Sequence, residues 1–170
     1  KIEATSGITI VNNDQDYILK RRYDLFIWNK VYFSVYNCFE LANINDRGLF
    51  KAKVDFIVAS EFNKDIHYFS DIAGSWVRDV HCYFIQVNSS TYGDSRITKP
   101  SKSVVKDILQ LKGGDNATIL TGRMHIRELR EFQFVEYELQ KDWAEDKPEK
   151  FKPTPPDFNK NEVEKRIKGK

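Results

Sequence analysis

The sequence predicts an α/β fold, and three consecutive segments in the middle of the chain predict it. Residues 54–59 form a mostly apolar run with the length of a buried strand. Residues 68–78 carry apolar side chains at the spacing of an amphipathic helix, and residues 82–87 return to a strand pattern. This order of strand, helix and strand is typical of α/β architecture, in which the two strands lie adjacent and parallel.

Composition indicates a globular chain and excludes several classes of function. With 170 residues, 41% hydrophobic and 14% aromatic, the chain buries a sizeable core as one domain or most of one. The net charge is only +2, which is too small to indicate a nucleic-acid or membrane surface. No apolar run approaches the roughly 20 residues that span a bilayer. We therefore expect a soluble protein with no membrane partner.

The two cysteines and three histidines show no metal or disulfide pattern. Cys38 and Cys82 lack the density of a disulfide scaffold and the paired spacing of a metal site, which favours a reducing, cytoplasmic setting. Cys82 lies in a strongly apolar run and is interpreted as core packing. The histidines are scattered, so we expect no metal and no other cofactor.

The elements follow in order from residue 1. Residues 1–22 contain a turn signal at 12–14 and a basic cluster at 20–22, and we interpret them as an irregular lead-in. The basic cluster is interpreted as a solvated edge, and the alternative is phosphate binding. Because the chain begins at Lys1 without an initiator methionine, we expect a processed product or a piece of a longer polypeptide.

A β-hairpin is predicted next. Residues 25–28 and 31–33 are apolar or aromatic and are separated by Asn29-Lys30. The return strand leads to Cys38, which falls on the turn after it. Strand ends display reactive side chains, because the rigid backbone fixes the atom while the following loop leaves it accessible. Cys38 is therefore a candidate nucleophile, and the alternative is a buried, inert thiol.

The second half of the chain contains weaker signals. Residues 89–93 and 112–116 predict turns, and residues 119–126 indicate a later strand. From about residue 145 the sequence is rich in Lys and Pro, which favours an extended arm or tail over a core segment. The predicted organisation is a lead-in at 1–22, an α/β domain portion at 23–145 and a Pro/Lys-rich tail at 146–170.

Three segments within residues 25–134 carry a family resemblance. Residues 35–40 read Val-Tyr-Asn-Cys-Phe-Glu and are followed by Arg47. Residues 54–62 form a strand and a polar turn, and residues 82–88 are followed by Gly-Asp-Ser-Arg-Ile and then a proline. In this order they resemble three segments in the C-terminal half of the nitrilase superfamily, the carbon-nitrogen hydrolases. The first resembles the family's nucleophile strand, and the second resembles the next strand with its pocket-lining turn. The third resembles the family's Gly-x-Ser and proline signature.

The resemblance implies a four-layer α-β-β-α sandwich, of which this chain would hold the C-terminal half. Such sandwiches usually pair through their outer helices, which implies a homo-oligomer. The family's cysteine attacks a nitrile or amide carbon, while an upstream glutamate acts as base and an upstream lysine stabilises the developing negative charge.

Cys38 matches the family's nucleophile, but the other two catalytic positions have no match. Only 37 residues precede Cys38, whereas the family's glutamate normally lies far upstream. Lys1 and Lys20 are formal candidates for the lysine outside any motif, and Glu3 does not replace the glutamate. As a nitrilase the chain is incomplete, and we expect its N-terminal half to have been removed or to be supplied elsewhere.

Position in the resemblance nominates the residues that line the substrate pocket. Glu40 either lines the site or caps the following helix, and both alternatives remain open. Glu61, Phe62 and Asn63 follow the second matched strand and would border the pocket. For Glu61 the alternative is a surface ion pair with Lys64.

Three further residues are expected to support the structure around the site. Arg47 would hold the nucleophile turn through carboxylate or backbone contacts. Asn88 and Ser95 lie near the signature turn and are expected to be structural hydrogen-bonding residues.

Two functions are compatible with these assignments. The first is a carbon-nitrogen hydrolase that uses Cys38 on a small amide- or nitrile-type substrate. The second is a catalytically inactive nitrilase-fold module for oligomerisation or partner binding. In the second, tail residues dock on a neighbouring subunit; they are Phe151, Pro153, Pro155, Pro156 and Phe158.

A narrower resemblance concerns a linked partner. Residues 38–41, 61–65 and 92–96, together with the Pro-rich tail, are similar to nitrilase-like domains fused behind bacterial reverse transcriptases of antiviral defence systems. This implies a reverse-transcriptase domain in the same polypeptide, with nucleic acid bound there.

Overall fold

The computed structural model describes residues 3–11, 20–114, 118–146 and 150–169, with side chains from residue 23 onward in those ranges. In them, seven strands form one mixed sheet, accompanied by five α-helices, so the α/β prediction is confirmed. The strands are β1 (Glu3–Val11), β2 (Lys20–Trp28), β3 (Val31–Asn37), β4 (Phe56–Glu61), β5 (Tyr83–Asn88), β6 (Ser95–Thr98) and β7 (Asp107–Leu111). The helices are α1 (Ile44–Arg47), α2 (Ile66–Trp76), α3 (Ile126–Phe134), α4 (Tyr137–Asp146) and α5 (Lys160–Lys168).

The strands lie in the sheet in the same order as in the chain, from β1 to β7. Strands β3, β4 and β5 run parallel, which confirms the parallel pairing predicted for β4 and β5, and the other neighbouring pairs run antiparallel. In this register Asn37 faces Ser60, and Ser60 faces Val87. The three parallel strands therefore end side by side at one border of the sheet, which we call the carboxyl edge; the border where they begin is the amino edge.

The β2–β3 hairpin confirms the prediction made from Asn29-Lys30. Both turn residues have positive φ, 49° and 63°, as a two-residue turn of type I′ requires. Across the sheet, the rings of Phe26, Phe33 and Phe56 stack in a row, with centroids 5.3 and 4.9 Å apart. These aromatic contacts help to set the register of the hairpin against the parallel strands.

Helix α2 packs on one face of the sheet and builds the larger core. Its N-cap is Asp65, whose carboxylate accepts a hydrogen bond from the Tyr68 backbone N–H at 3.2 Å. Trp76 is fully buried and contacts the ring of Tyr36 edge-on at 4.6 Å. The helix then continues as a π-helical turn, Val77–His81, which leads directly into β5.

The opposite face of the sheet is covered only in part. Tyr83 packs there with Leu129, Phe132 and Phe151 in a second, smaller core beneath α3. Towards the carboxyl edge of the same face, Val35 is 38% exposed and Val87 is 50% exposed. The sheet thus presents apolar side chains on this part of its surface.

Two predictions about segments outside the central sheet were wrong. Residues 118–125 form no strand, and α3 begins at Ile126 where the later strand was expected. The strands of this region are β6 and β7, which lie earlier in the chain. The lead-in is also not irregular throughout, because residues 3–11 form β1 and pair with β2. The turn signal at 12–14 lies outside the described residues, as do Lys1 and the side chains of Glu3 and Lys20.

The expectation that the tail lies apart from the core was wrong as well. Phe151 and Val163 are buried at 5% and 0% exposure, and α5 forms where an extended arm was expected. The buried guanidinium of Arg166 pairs with the carboxylate of Asp55 at the start of β4. The described part of the tail is thus an integral layer of the domain, because it covers the amino edge and the second core.

Candidate active site

Cys38 occupies a sharp turn at the carboxyl edge. It follows the last residue of β3 and is the first residue of a short 3-10 helix, Cys38–Ala42. Its φ is +31°, whereas the preceding Asn37 is extended, with φ −109° and ψ 125°. Positive φ is uncommon for residues other than glycine, and such strain concentrates at functional sites. The chain therefore turns from strand to helix at the cysteine itself.

The two thiols differ in their surroundings. Cys38 is half-buried, whereas Cys82 is fully buried in the core on the α2 side of the sheet. Burial raises the pKa of the Cys82 thiol well above its ordinary range, which keeps that thiol protonated and unreactive. Of the two cysteines, Cys38 is the one placed to react with a small molecule.

Glu40 closes the turn that carries Cys38. Its Oε2 accepts a hydrogen bond from the backbone N–H of Asn37 at 2.7 Å. This is the reciprocal half of a capping box, in which an acidic side chain satisfies a backbone donor at the helix start. The Glu40 carboxylate is thus engaged with the backbone beside the cysteine.

Glu61 leaves β4 next to Cys38. Because Asn37 faces Ser60, the residues that follow them lie beside each other at the carboxyl edge. Glu61 is 7% exposed, and its Oε2 accepts a hydrogen bond from Gln86 Nε2 at 3.0 Å. Its Oε1 has no partner among the described residues.

The environment of Glu61 makes its carboxyl a weaker acid than that of an exposed glutamate. Burial raises the pKa of this carboxyl, and the nearby Asp94 raises it further, against the opposing effects of Gln86 and Arg96. The alternative of a surface pair with Lys64 is not what the structure contains, since the Lys64 ammonium lies 5.8 Å from the centre of the Tyr92 ring.

Phe62 and Asn63 continue the same turn in different ways. Phe62 is 74% exposed and meets the Tyr92 ring edge-on at 5.3 Å, and Phe39 beyond Cys38 is also 74% exposed. Asn63 is tied to β5, because its backbone N–H donates to Asn88 Oδ1 and its carbonyl accepts from Asn88 Nδ2, both at 2.9 Å. The exposed rings at the rim of this edge are thus those of Phe39 and Phe62.

Asn88 and Ser95 organise the turn at 89–93. Asn88 Nδ2 donates to the Gly93 carbonyl at 2.9 Å, and the Asn88 backbone N–H donates to Ser95 Oγ at 3.0 Å. Ser95 Oγ in turn donates to the Asn88 carbonyl at 3.2 Å. These contacts fix backbone groups, and neither side chain is placed as a reactive group.

Arg47 contacts a different partner from the expected one. Its Nη1 donates to Asp79 Oδ2 at 3.3 Å, which links α1 to the π-helical turn after α2. Within the described residues this carboxylate is its ion-pair partner, and the turn that carries Cys38 is held by Glu40.

A buried polar cluster behind the carboxyl edge was not predicted. Arg96 is 6% exposed and pairs with Asp94, whose Oδ1 also accepts a hydrogen bond from Gln110 Nε2 at 2.5 Å. The sequence signal for it is the polar residue Gln86 inside an otherwise apolar strand. A polar side chain buried between apolar neighbours requires a buried partner, here Glu61.

The described residues offer no metal site. In that part of the chain, no three His, Cys, Asp or Glu side chains are grouped closely enough to hold a metal ion. Likewise, none of the helices in the described ranges is long and apolar enough to cross a bilayer.

Comparison with known proteins identifies the fold. Models of protein families and curated protein sequences give no match. A CN-hydrolase superfamily protein from Xanthomonas campestris, solved with an arsenic adduct in its active site, matches with a TM-score of 0.51 and 13% identity, over 69% of this chain and 49% of that one. A mutant of the Nesterenkonia AN1 amidase, from the nitrilase superfamily, matches with a TM-score of 0.49 and 10% identity, over 71% of this chain and 47% of that one.

The chain thus spans about half the length of these solved proteins. The likeness to the Xanthomonas protein confirms the predicted nitrilase-like α/β fold.

Proposed function

We propose that this chain is the nucleophile-bearing part of a nitrilase-like carbon-nitrogen hydrolase, with Cys38 as the nucleophile. The observation that carries the proposal is the backbone at Cys38, whose φ of +31° falls on the strand-to-helix turn at the carboxyl edge. Left-handed backbone costs a non-glycine residue about 1–2 kcal/mol. In other hydrolase folds a strained turn of this kind raises the nucleophile above the edge of the sheet.

The reaction that fits this position is hydrolysis of an amide or nitrile. For an amide, the Cys38 thiolate attacks the carbonyl carbon, forming a C–S bond and a tetrahedral oxyanion. The C–N bond then breaks, the amine leaves with a proton, and water hydrolyses the thioester to release the acid and restore the thiol. Each step requires a proton carrier and donors around the oxyanion.

Within this chain the proton carrier is not supplied by Glu40. Its carboxylate is bound to the backbone of Asn37. Because the glutamate and lysine positions of the resemblance have no match in this chain, we assign these two catalytic residues to another segment of a longer polypeptide, which would complete the sandwich. The proposal also assigns assembly into a homo-oligomer and a cytoplasmic setting.

The finer proposal is a link to a reverse transcriptase of an antiviral defence system. Its support is the sequence of three segments, residues 38–41, 61–65 and 92–96. The rings of Phe62 and Tyr92 are in contact, so two of these segments meet at the carboxyl edge. The test is to assay the polypeptide that contains both domains for DNA synthesis and phage protection, with Cys38→Ala as the variant. Absence of both activities in the unaltered protein would contradict the link.

A second candidate is an inactive module that retains the fold for oligomerisation or partner binding. The apolar sheet face favours it, since Val35 and Val87 stay exposed at 38% and 50%. In this case Cys38 would have no enhanced reactivity, and Cys38→Ala would leave assembly unchanged.

Selective thiol labelling separates the two candidates. The longest available polypeptide is treated with an electrophilic thiol probe, and the labelled peptides of Cys38 and Cys82 are quantified by mass spectrometry across pH. An activated nucleophile is labelled at Cys38 well below the ordinary thiol pKa of about 8.5, while Cys82 is spared in the folded protein. Equal labelling of both thiols, or none, would count against the hydrolase and favour the module.

A further inference from the structure

The amino edge carries a hollow that the proposed hydrolase does not use. Because α2 runs back from the carboxyl edge, its last turn and Val77–His81 reach the border where the parallel strands begin. The connection 99–106 between β6 and β7 lies at the same border, since Thr98 faces Phe84. Between them is a surface hollow of about 520 Å³, which we call the amino-edge hollow. Its basic and hydroxyl-bearing lining residues are Arg78, Lys99, Lys106, Ser75, Ser101 and Ser103.

Ser101 provides a buried hydroxyl without a partner in this hollow. The residue is 2% exposed, and its Oγ has no hydrogen-bond partner among the described residues. Its backbone N–H is already used, since it donates to the Lys99 carbonyl at 2.7 Å. Leaving a buried polar group unpaired costs free energy, so such a group requires an explanation. An oxygen of a bound ligand would satisfy it.

Lys106 extends along the surface of α2 into the same hollow. A Cβ built on Gly74 would lie 3.2 Å from the Lys106 ammonium, so the absence of a side chain at position 74 makes room for the charge. The Lys99 backbone N–H donates to the Lys106 carbonyl at 2.8 Å. This contact brings the two lysines to the same end of the connection.

The charge in the hollow favours an anion. Asp71 and Asp79 also line it, but the Asp79 carboxylate is paired with Arg47 at 3.3 Å. Asp71 and the carboxyl end of α2 together contribute about one and a half negative charges, which is less than the three positive charges of Arg78, Lys99 and Lys106. Lysine, arginine and hydroxyl donors together are the groups that bind phosphate oxygens in proteins.

We propose that the amino-edge hollow binds a small phosphate-bearing ligand, with Lys106 as a charge partner and Ser101 as a hydroxyl donor to a phosphate oxygen. The volume exceeds that of a phosphate ion and is of the size that holds a small organic ligand. The ligand class therefore includes a phosphate ester such as a nucleoside monophosphate. The site lies at the opposite edge of the sheet from Cys38 and stands independently of the hydrolase.

The test is calorimetric titration of the protein with inorganic phosphate and, separately, with adenosine monophosphate. We compare Lys106→Ala and Ser101→Ala with Lys102→Ala, which removes an exposed lysine of the same connection that does not line the hollow. Lys106→Ala is expected to weaken binding about tenfold or more, because it removes a charged donor. Lys102→Ala is expected to change binding less than about twofold, as for an exposed charge outside the site.

Ser101→Ala changes two measured quantities in opposite directions, the stability of the unliganded protein and the affinity for phosphate. Removing an unpaired buried hydroxyl is expected to raise the Tm of the unliganded protein while weakening phosphate binding. Tighter binding of adenosine monophosphate than of phosphate would identify a phosphate ester as the ligand, and equal binding would identify free phosphate. Binding of neither probe would overturn the proposal, as would equal weakening by Lys102→Ala and Lys106→Ala.

Discussion

Arg166 in the last helix donates a hydrogen bond from Nη1 to Oδ1 of Asp55, 111 positions earlier in the chain, at 2.5 Å. Both side chains are buried, at 2% and 0% exposure. The same carboxylate accepts hydrogen bonds from Arg130 Nε and from the Tyr32 backbone N–H, each at 2.8 Å. One carboxylate thus connects the hairpin, α3 and α5.

Replacing Arg166 is expected to destabilise the fold strongly. Arg166→Met leaves the buried Asp55 with a weaker set of partners, and breaking a buried ion pair costs about 3–5 kcal/mol. The expected loss in the free energy of unfolding, measured by denaturant titration, is at the lower end of that range because Arg130 remains. The control is Arg127→Met. The Arg127 side chain is 91% exposed, and its ion pair with Glu131 is expected to contribute less than about 1 kcal/mol to the free energy of unfolding. Equal losses for the two variants would contradict the assignment.

His81 is expected to make stability depend on pH. Its Nε2 lies 2.6 Å from the Lys152 carbonyl and its Nδ1 lies 3.2 Å from Gln133 Nε2, an arrangement that fits a neutral ring donating from Nε2. Burial lowers its pKa to about 4, against the opposing contact with Lys152 and with help from the nearby Arg78 and Arg166. The folded-state pKa is therefore below the ordinary value of 6.5.

The sign of this effect follows from proton binding. Above pH 6.5 the ring is neutral in both states, and as the pH falls towards about 4 the unfolded chain binds the proton first. The free energy of unfolding is expected to fall by up to about 3 kcal/mol over this range. His81→Gln is expected to remove that part of the slope in denaturation curves at several pH values, while exposed His67→Gln keeps it. An unchanged slope in His81→Gln would show that other groups cause it.

Cys38→Gly is expected to separate stability from reactivity. Glycine adopts positive φ without strain, so this variant should match or exceed the original protein in stability, by up to about 1 kcal/mol, while losing the candidate nucleophile. Thermal unfolding measures the first effect and thiol labelling the second. Ala42→Gly in the same short helix is the control, and it should be destabilising by about 0.5–1 kcal/mol. A loss in Cys38→Gly as large as in the control would mean that no strain is stored at the cysteine.

Phe151→Ala tests whether the tail belongs to the core. The Phe151 ring is 5% exposed and lies 5.5 Å from the Phe132 ring, so its removal is expected to cost about 3 kcal/mol in denaturant unfolding. Phe134→Ala removes an equal ring that is 46% exposed and is expected to cost much less. Similar small losses in both variants would restore the interpretation of the tail as an independent arm.

The central sheet could be predicted because its signals are local. The Asn29-Lys30 turn, the apolar run of β4 and the period of α2 each lie within a few residues of one another in the sequence. The prediction failed where burial depends on distant partners. In α5, Val163 and Arg166 lie among Lys and Glu residues and resemble a solvated helix. The buried arginine is explained by two distant partners, Asp55 and Gln133.

The candidate site was predictable to a similar degree. The position of Cys38 at a strand end follows from the pattern of β3, but its positive φ has no sequence signal. The burial of Glu61 follows from its hydrogen bond to Gln86 on the neighbouring strand, 25 positions away. The partner of Arg47 lies 32 positions away, so the resemblance, which places this arginine after the nucleophile strand, pointed to the wrong contact.

The order of the sheet has a consequence for how the chain is made. Each strand pairs with the strand synthesised just before it, so the sheet grows from one end as the polypeptide leaves the ribosome. The side-chain contacts of Asp55 do not follow this order, because its partners Arg130 and Arg166 come 75 and 111 positions later in the chain. We expect its carboxylate to lack the second arginine until α5 has been synthesised, so that α5 docks after the sheet and α3 have formed. Ribosome-bound chains that stop before α5 should therefore be cut by protease more readily than chains that include it.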